Sequence, residues 1–225
     1  TYALLDKMIH FWSKALPSGK LHIGMDETHD LGRGKHLDRH GFEPSSEIYL
    51  RHLKRVCGIC DKYGLKPAIW SDMLLRFAEP EKIRDSLPAS LELYYWNYSG
   101  VSPENYEQAF AQHQAIGRTL AMASAVYSYN TFCWFAEKTE AVVPACVKAC
   151  EKTGIRNLLF TVWGDAGAFF NFDSVLAGLC FAASTAYGED PNRSAVTSAL
   201  FHMLSSEDYY LFRKAAGLHR LYDKF

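Results

Sequence analysis

Short apolar runs alternate with longer amphipathic segments along most of this 225-residue chain. The short runs are rich in Val, Ile, Tyr and Trp and have the length of strands, whereas the longer segments repeat their apolar positions with the period of a helix. Such alternation is typical of consecutive parallel βα units. The predicted strands are residues 21–26, 66–73, 91–98, 120–129 and 158–163.

Helices are predicted between and after these strands. Gly64, Gly117 and Gly154 each follow a helical pattern and precede a strand, where the end of a helix favours a residue with positive φ. After Pro191, two helices follow one another without a strand between them. The predicted helices are residues 45–63, 80–86, 103–116, 138–152, 173–186, 194–204 and 206–222.

Five βα units followed by helices fit strands 4 to 8 of a TIM (β/α)8 barrel better than a doubly wound sheet. The unusual acidic and aromatic residues fall at or near the ends of the predicted strands, the face where such barrels build active sites. Residues 1–190 are therefore predicted to be the C-terminal portion of a barrel, and residues 191–225 the start of a helical extension. Because part of a barrel leaves sheet edges open, we expect earlier strands in a longer chain, which the missing initiator Met also suggests.

Composition excludes some classes of partner. Lys and Arg together number 24 and Asp and Glu 25, so the net charge of -1 offers no basic excess for binding nucleic acid. No run approaches the roughly 18 apolar residues of a membrane span, and the start of the chain lacks the basic and then apolar segments of a signal peptide.

The cysteines form two pairs with helical spacing. Cys57 and Cys60, like Cys146 and Cys150, lie one helical turn apart, and no second pair of metal-binding residues accompanies them in the sequence. We interpret them as buried thiols, which weakly favours a reducing, cytoplasmic compartment.

The first predicted strand ends in two adjacent acids, Asp26 and Glu27. The chain contains three adjacent acid pairs, as chance would give, but only this pair follows an apolar strand. Two neighbouring carboxyls do not ionise together easily, and the one that keeps its proton suits general acid catalysis. Ordinary retaining glycosidases need carboxyls about 5 Å apart on opposite sides of the sugar. Neighbours on one strand approach from the same side, so in a glycosidase the nucleophile would belong to the substrate.

The segment HIGMDETH, residues 22–29, resembles the H/G-x-G-x-D-E motif of the β-N-acetylhexosaminidases of glycoside hydrolase family 20. The similarity continues through IWSDM, YYWNY, AVYSY and TVWGDAG in the family's order, over roughly residues 21–188. The resemblance implies an exo-acting TIM-barrel enzyme, without metal or other cofactor, that removes terminal N-acetylglucosamine or N-acetylgalactosamine from oligosaccharides. The 2-acetamido group of the substrate would attack C1 to form an oxazolinium intermediate, with net retention of configuration.

The resemblance also implies roles for the matching residues. Glu27 matches the general acid/base, and Asp26 matches the residue that orients the acetamido N–H. Tyr127 matches the tyrosine that donates to the acetamido carbonyl, with Tyr129 in reserve because residues two apart on a strand face the same side. The other matches would bind or support the sugar: Trp70, Trp96 and Trp163 as indole walls, Asp165 at the outer hydroxyls, and Asp72 from the neighbouring strand. Asp165 replaces the family's usual Glu, which leaves the choice between gluco and galacto sugars open, and the family's arginine belongs to an earlier strand.

Two other functions stay open on the sequence alone. One is a metal-dependent barrel hydrolase that uses Asp26, His29 and neighbouring acids. His36 and His40 have helical ligand spacing, but the glycines around them argue against a helix and favour a solvated loop. The other is a carbohydrate-binding barrel without turnover. The aromatic residues after position 205 would pack between helices, cover the barrel or contact a second subunit of a homo-oligomer.

Overall fold

The computed structural model describes residues 1–77, 83–165, 171–188 and 193–217. Its strands are hydrogen-bonded neighbours in chain order, and the first three pair in parallel, with Leu21 opposite Pro67 and Ile69 opposite Leu93. The predicted mixed α/β class with parallel strands is therefore confirmed, whereas the assignment to barrel strands 4 to 8 stays a prediction. The strands are β1 (Lys20–His22), β2 (Lys66–Trp70), β3 (Glu92–Trp96), β4 (Thr119–Ala125) and β5 (Asn157–Thr161).

Helices separate the strands and follow the last of them. In the described residues they are α1 (Tyr2–Ala15), α2 (Lys35–His40), α3 (Ser45–Lys62), α4 (Leu74–Phe77), α5 (Glu104–Ile116), α6 (Ala136–Thr153), α7 (Leu176–Tyr187), α8 (Arg193–Ser205) and α9 (Tyr209–Ala216). The first three residues of the predicted helix 173–186 belong to a 3-10 turn, Phe172–Val175, and the α-helix begins after it at Leu176. The start of the predicted helix 80–86 and the end of the predicted helix 206–222 lie outside the described residues. Within those residues, no helix combines the length and apolar character needed to cross a bilayer.

The observed limits of the predicted helices agree with the predicted limits better than those of the strands do. Gly64, Gly117 and Gly154 all take positive φ, as predicted. Each strand, in contrast, ends before its predicted limit. Polar side chains next to a strand end can bond to the backbone and turn the chain. After β3, for example, Asn97 Oδ1 accepts hydrogen bonds from the N–H groups of Ser99 (2.9 Å) and Gly100 (3.2 Å). The candidate site residues therefore lie mostly in the loops that follow the strands.

The segment around His36 and His40 is a helix, which corrects the expectation of a loop. Gly34 and Gly41 take positive φ just before and just after α2, so these glycines bound the helix and do not interrupt it. The two imidazole rings lie 4.9 Å apart, and His36 Nε2 lies 3.2 Å from a carboxylate oxygen of Glu43.

The predicted burial of the paired thiols is confirmed. Cys57, Cys60, Cys146 and Cys150 are buried and free. Burial raises the pKa of Cys57 to about 12 and the pKa of Cys60 to about 11, so both stay protonated at neutral pH. These thiols contribute to packing.

The chain divides into two compact units. Unit 1 comprises Thr1–Trp96 and Ala109–Ala121, and unit 2 comprises Asn97–Gln108 and Met122–Phe225. The core of unit 1 forms because the buried residues of α3 recur on one side of the helix and pack with residues of β2 and β3: Tyr49, Leu53, Cys57, Ile69 and Leu93.

The core of unit 2 is built around Trp134, which is fully buried with Val126 and Phe201. Helix α7 approaches this indole closely at Gly178. A Cβ atom there would lie 2.5 Å from Val126 Cγ1 and 2.7 Å from Trp134 Cε3. Only glycine therefore fits that position without a shift of the surrounding core.

Candidate active site

In unit 1, the chain continues beside β2 after β1 ends. The Ile23 N–H donates to the Ala68 carbonyl at 2.8 Å, and the Trp70 N–H donates to the Gly24 carbonyl at 3.0 Å. These two bonds carry the pairing forward as far as the last residue of β2. They place the acid pair directly beyond the end of β2, next to Trp70 and the residues that follow it.

The backbone of the acid pair is strained. Gly24, Met25 and Glu27 take φ values of 78°, 84° and 50°. Residues other than glycine rarely adopt positive φ, and the strain tends to concentrate at functional sites. In the described residues, four non-glycine positions have positive φ, and two of them flank Asp26. The strain is thus a reason to suspect function at this pair.

Packing of the apolar neighbours offsets this strain. Ile23 and Met25 are half-buried and pack against the core of unit 1. Asp26 and Glu27 are exposed. The loop therefore anchors its apolar side chains in the core and leaves both carboxyls facing solvent, where a substrate can reach them.

Asp72, in the turn that follows β2, holds the loop. The Glu27 N–H donates to Asp72 Oδ2 at 3.1 Å. The structure thus brings together two residues that the sequence predicted separately. This bond fixes the backbone of Glu27, and in the described residues no hydrogen bond or ion pair engages its carboxyl.

An aromatic cluster lies beside the acid loop. The rings of His22 and Trp70 lie 4.5 Å apart, those of His22 and Tyr94 5.1 Å, and those of Trp70 and Tyr94 6.0 Å. Burial lowers the pKa of His22, and the nearby Asp26 carboxylate partly opposes that effect. Sequence analysis missed His22, although it alternates with Gly24 and Asp26 at the two-residue period of a strand. Trp96, at the end of β3, is half-buried.

A buried serine and histidine fix the end of β2. The Ser71 hydroxyl lies 2.8 Å from His113 Nε2 and 3.1 Å from the Tyr94 carbonyl oxygen, and His113 Nδ1 lies 2.7 Å from the Ala109 carbonyl oxygen. Both side chains are fully buried, and burial lowers the pKa of His113. The Nδ1–H group of the neutral imidazole therefore donates to the Ala109 carbonyl oxygen, and Nε2 accepts a hydrogen bond from the Ser71 hydroxyl. Ser71 stands between Trp70 and Asp72, so this contact orients both.

We expect the substitution His113→Ala to lower the free energy of unfolding by about 2 to 3 kcal/mol, because it leaves the Ser71 hydroxyl unpaired and creates a cavity. Urea unfolding followed by circular dichroism measures the change. Gln108→Ala, at an exposed position of the same helix, is the control and should cost less than about 0.5 kcal/mol. Equal stability of the two variants would show that the contact contributes nothing.

Unit 2 contains a cluster of four aromatic residues and one acid. The rings of Tyr127 and Tyr129 lie 4.0 Å apart, and those of Tyr98 and Tyr129 lie 6.5 Å apart. Trp163 Nε1 donates to the Tyr98 hydroxyl at 2.9 Å, which fixes the indole, and Asp165 is exposed. Sequence analysis missed Tyr98, although it belongs to the aromatic block YYWNY.

The two tyrosines differ in their surroundings. Burial, a hydrogen bond to Tyr127 and the charge of Asp165 are among the causes that raise the pKa of Tyr129. The Tyr127 N–H donates to Thr139 Oγ1 at 3.0 Å, and Lys138 Nζ lies 3.9 Å from the centre of the Tyr127 ring. The Tyr129 phenol therefore stays protonated at neutral pH and can act as a hydrogen-bond donor.

A metal-dependent hydrolase would need a cluster of ligands. Within the described parts of the chain, no three His, Cys, Asp or Glu side chains gather as they would around a metal ion. His29, which that alternative uses, accepts a hydrogen bond at Nδ1 from the Arg76 guanidinium group at 3.3 Å.

Comparisons with known proteins give distant structural similarity. No family model matches the sequence, and no match was found among the curated proteins. Among solved structures, a GH20 exo β-N-acetylglucosaminidase from Vibrio harveyi in complex with N-acetylglucosamine is 16% identical, with a TM-score of 0.48. An inactive mutant of that enzyme is 15% identical, also with a TM-score of 0.48. Both alignments cover 96% of this chain but 34% of the other, so this chain spans about a third of the length of those enzymes.

Proposed function

We propose that this chain carries catalytic residues of an exo-β-N-acetylhexosaminidase, which removes terminal N-acetylglucosamine or N-acetylgalactosamine with retention of configuration. The observation that carries the proposal is the acid pair itself. Asp26 and Glu27 stand side by side on a strained loop at the end of β1, both exposed, and the Glu27 backbone is tied to Asp72.

Glu27 acts as the general acid/base. It donates its proton to the glycosidic oxygen while the bond between that oxygen and C1 breaks. The resulting carboxylate then takes a proton from the water that attacks C1. Because its backbone is fixed while its carboxyl is exposed, Glu27 can serve both steps from one position.

The nucleophile comes from the substrate. Asp26 and Glu27 are adjacent on one strand end, so they cannot flank the sugar as the two carboxyls of an ordinary retaining glycosidase do. The carbonyl oxygen of the 2-acetamido group attacks C1 instead and forms an oxazolinium ion. The Asp26 carboxylate accepts a hydrogen bond from the acetamido N–H and stabilises the positive charge that develops on the oxazolinium ring. Water then opens the ring at C1, and the two inversions leave the configuration retained.

The remaining residues of the proposal bind the acetamido group and the sugar. Tyr127 donates to the acetamido carbonyl oxygen, and Tyr129 is the alternative donor. Asp165 binds outer hydroxyl groups. The indoles of Trp70, Trp96 and Trp163 provide apolar walls for the acetyl methyl group and the C–H face of the sugar. No metal or other cofactor takes part in this mechanism.

The experiment that tests this function is hydrolysis of an aryl 2-acetamido-2-deoxy-β-glucoside by the intact protein, that is, this chain together with the earlier strands that the sequence analysis predicts. We expect release of the phenol and of the β anomer, seen by proton NMR before mutarotation, and no loss of rate after treatment with a chelator. Loss of activity with the chelator would instead favour the metal-dependent hydrolase. Binding of N-acetylglucosamine in a calorimeter, without product after long incubation, would favour a carbohydrate-binding barrel.

A further inference from the structure

Tyr127 is held by the residues at the beginning of α6. It lies just after the end of β4, is half-buried, and uses both of its backbone polar groups within unit 2. Its carbonyl oxygen accepts a hydrogen bond from the Phe135 N–H at 2.7 Å, and its N–H donates to Thr139 Oγ1 at 3.0 Å. The Tyr127 backbone is therefore fixed to the residues that start this helix.

Thr139 holds this backbone from a fully buried position. Its hydroxyl donates to the Phe135 carbonyl oxygen at 2.9 Å while it accepts the Tyr127 N–H, so one side chain joins both ends of the loop 127–135. A buried N–H group is rarely left without an acceptor, which makes this bond costly to break. The two backbone bonds still leave the Tyr127 side chain free to rotate, so the orientation of its ring depends on the ring's own contacts.

The ring of Tyr127 meets one charged and two aromatic side chains of unit 2. Lys138 Nζ lies over the ring, 3.9 Å from its centre. The Phe135 ring meets it edge-on with the ring centres 6.0 Å apart, and the centre of the Tyr129 ring lies 4.0 Å away. An ammonium group over the face of an aromatic ring, within about 6 Å of its centre, is attracted by the ring quadrupole. Lys138 thus adds an electrostatic contact to the packing of the aromatic rings.

The ammonium group of Lys138 is available for this contact. Among the residues that the structure describes, no carboxylate forms an ion pair with it, whereas Lys152 on the same helix pairs with Glu107. The Lys138 side chain is also half-buried. Partial loss of hydration strengthens the attraction between a cation and an aromatic ring. The surroundings of Lys138 therefore favour its contact with the Tyr127 ring.

We propose that Lys138 is a positioning residue that orients the Tyr127 hydroxyl toward the acetamido group of the substrate. The backbone bonds fix the point about which the ring turns, and the ammonium group over the ring restricts that rotation. Lys138 itself does not touch the substrate. A carbonyl oxygen that is held in line with C1 attacks faster than a mobile one. This role rests on the proposed function, whereas the contact between Lys138 and the ring can be measured without it.

The kinetic test is Lys138→Met in the intact protein, because methionine keeps an unbranched side chain and removes the charge. We expect kcat on the aryl 2-acetamido glucoside to fall about 5-fold to 30-fold with little change in KM, the rate equivalent of a partly buried cation–π contact. Lys138→Arg keeps a cation that stacks on aromatic rings and should restore most of the rate. Lys148→Met, at an exposed position of the same helix, is the matched control and should leave both constants unchanged.

A double-mutant cycle tests whether Lys138 acts through the Tyr127 hydroxyl. Tyr127→Phe removes that hydroxyl and should lower kcat by about 100-fold or more, the usual loss when one donor at a reacting oxygen is removed. In the Tyr127→Phe background, Lys138→Met should change kcat by less than about 2-fold, because effects are not additive when one residue acts through another. The full additional loss in that background would overturn the proposal, since Lys138 would then act independently of Tyr127.

Fluorine NMR of the intact protein labelled with 3-fluorotyrosine tests the contact itself. The Tyr127 signal is the one that Tyr127→Phe removes. We expect Lys138→Met to shift and broaden this signal, because the ring loses the charge over its face and samples more than one orientation. Lys148→Met should leave the signal unchanged. Thermal unfolding checks that each variant is folded, and Lys138→Gln makes the same test if Lys138→Met is not.

An unchanged Tyr127 signal in the folded Lys138→Met protein would also overturn the proposal, even if kcat fell, because Lys138 would then not orient the ring. If the wild-type protein does not hydrolyse the glucoside, the proposed function fails, and the fluorine signal still decides whether Lys138 holds the Tyr127 ring.

Discussion

Replacing Glu27 by Gln is expected to lower kcat on an aryl 2-acetamido glucoside by about 10³-fold, the usual contribution of a general acid/base. Glutamine has the shape of glutamate but cannot give a proton to the leaving oxygen or take one from water. Because the side chain is exposed and its backbone N–H holds the bond to Asp72, the fold should be unaffected. Initial rates of phenol release, together with thermal unfolding of both proteins, measure the effect.

Leaving-group dependence makes this prediction more specific. A dinitrophenolate departs with little need for a proton, so in the Glu27→Gln variant the first step should be much less impaired with that substrate. Glu47→Gln, at an exposed acid in the first turn of α3, is the control and should keep the wild-type rate. A Glu27→Gln variant that retains a tenth or more of the wild-type kcat on all substrates would rule out the assigned role.

The positions of α3, α5, α6, α7 and α8 could be predicted because their determinants are local in sequence, whereas α1 was not predicted and α2 was expected to be a loop. The apolar spacing of α3 and the glycine after it define that helix within a residue of its observed limits, Ser45–Lys62. Strand ends were predicted less well, because they depend on which backbone groups find a partner in the next strand or in a turn. β1 ends at His22, although its pairing with β2 continues to Gly24 and the apolar alternation continues to Met25.

The residues of the candidate site were likewise predictable where the signal is local in sequence, and not where it depends on distant partners. Asp26, Glu27 and Asp72 stand out in the sequence as acids at strand ends, and the structure joins the last two by a hydrogen bond. The supporting contacts were missed because their partners are distant in sequence. Ser71 meets His113 42 residues later, and Trp163 binds a tyrosine 65 residues earlier. Nothing in the local pattern of either residue identifies such a partner, since only the tertiary fold brings them together.

The 2-acetamido group of the substrate is expected to decide whether hydrolysis occurs at all. If its carbonyl oxygen is the nucleophile, an aryl β-glucoside with a hydroxyl at C2 lacks the attacking group, and no carboxyl of the acid pair can replace it from the opposite face. Attack by a group held within the same molecule has an effective concentration of about 10⁵ M or more, so its loss cannot be offset by binding. We expect kcat/KM on the 2-hydroxy substrate to be lower by about 10³-fold or more.

The most direct measurement is therefore a comparison of two aryl β-glucosides that share a leaving group and differ at C2, hydrolysed by the same preparation of the intact protein. The account predicts rapid release of the phenol from the 2-acetamido substrate and a rate near background from the 2-hydroxy substrate. Comparable values of kcat/KM for the two substrates would contradict it, because the nucleophile would then have to belong to the protein.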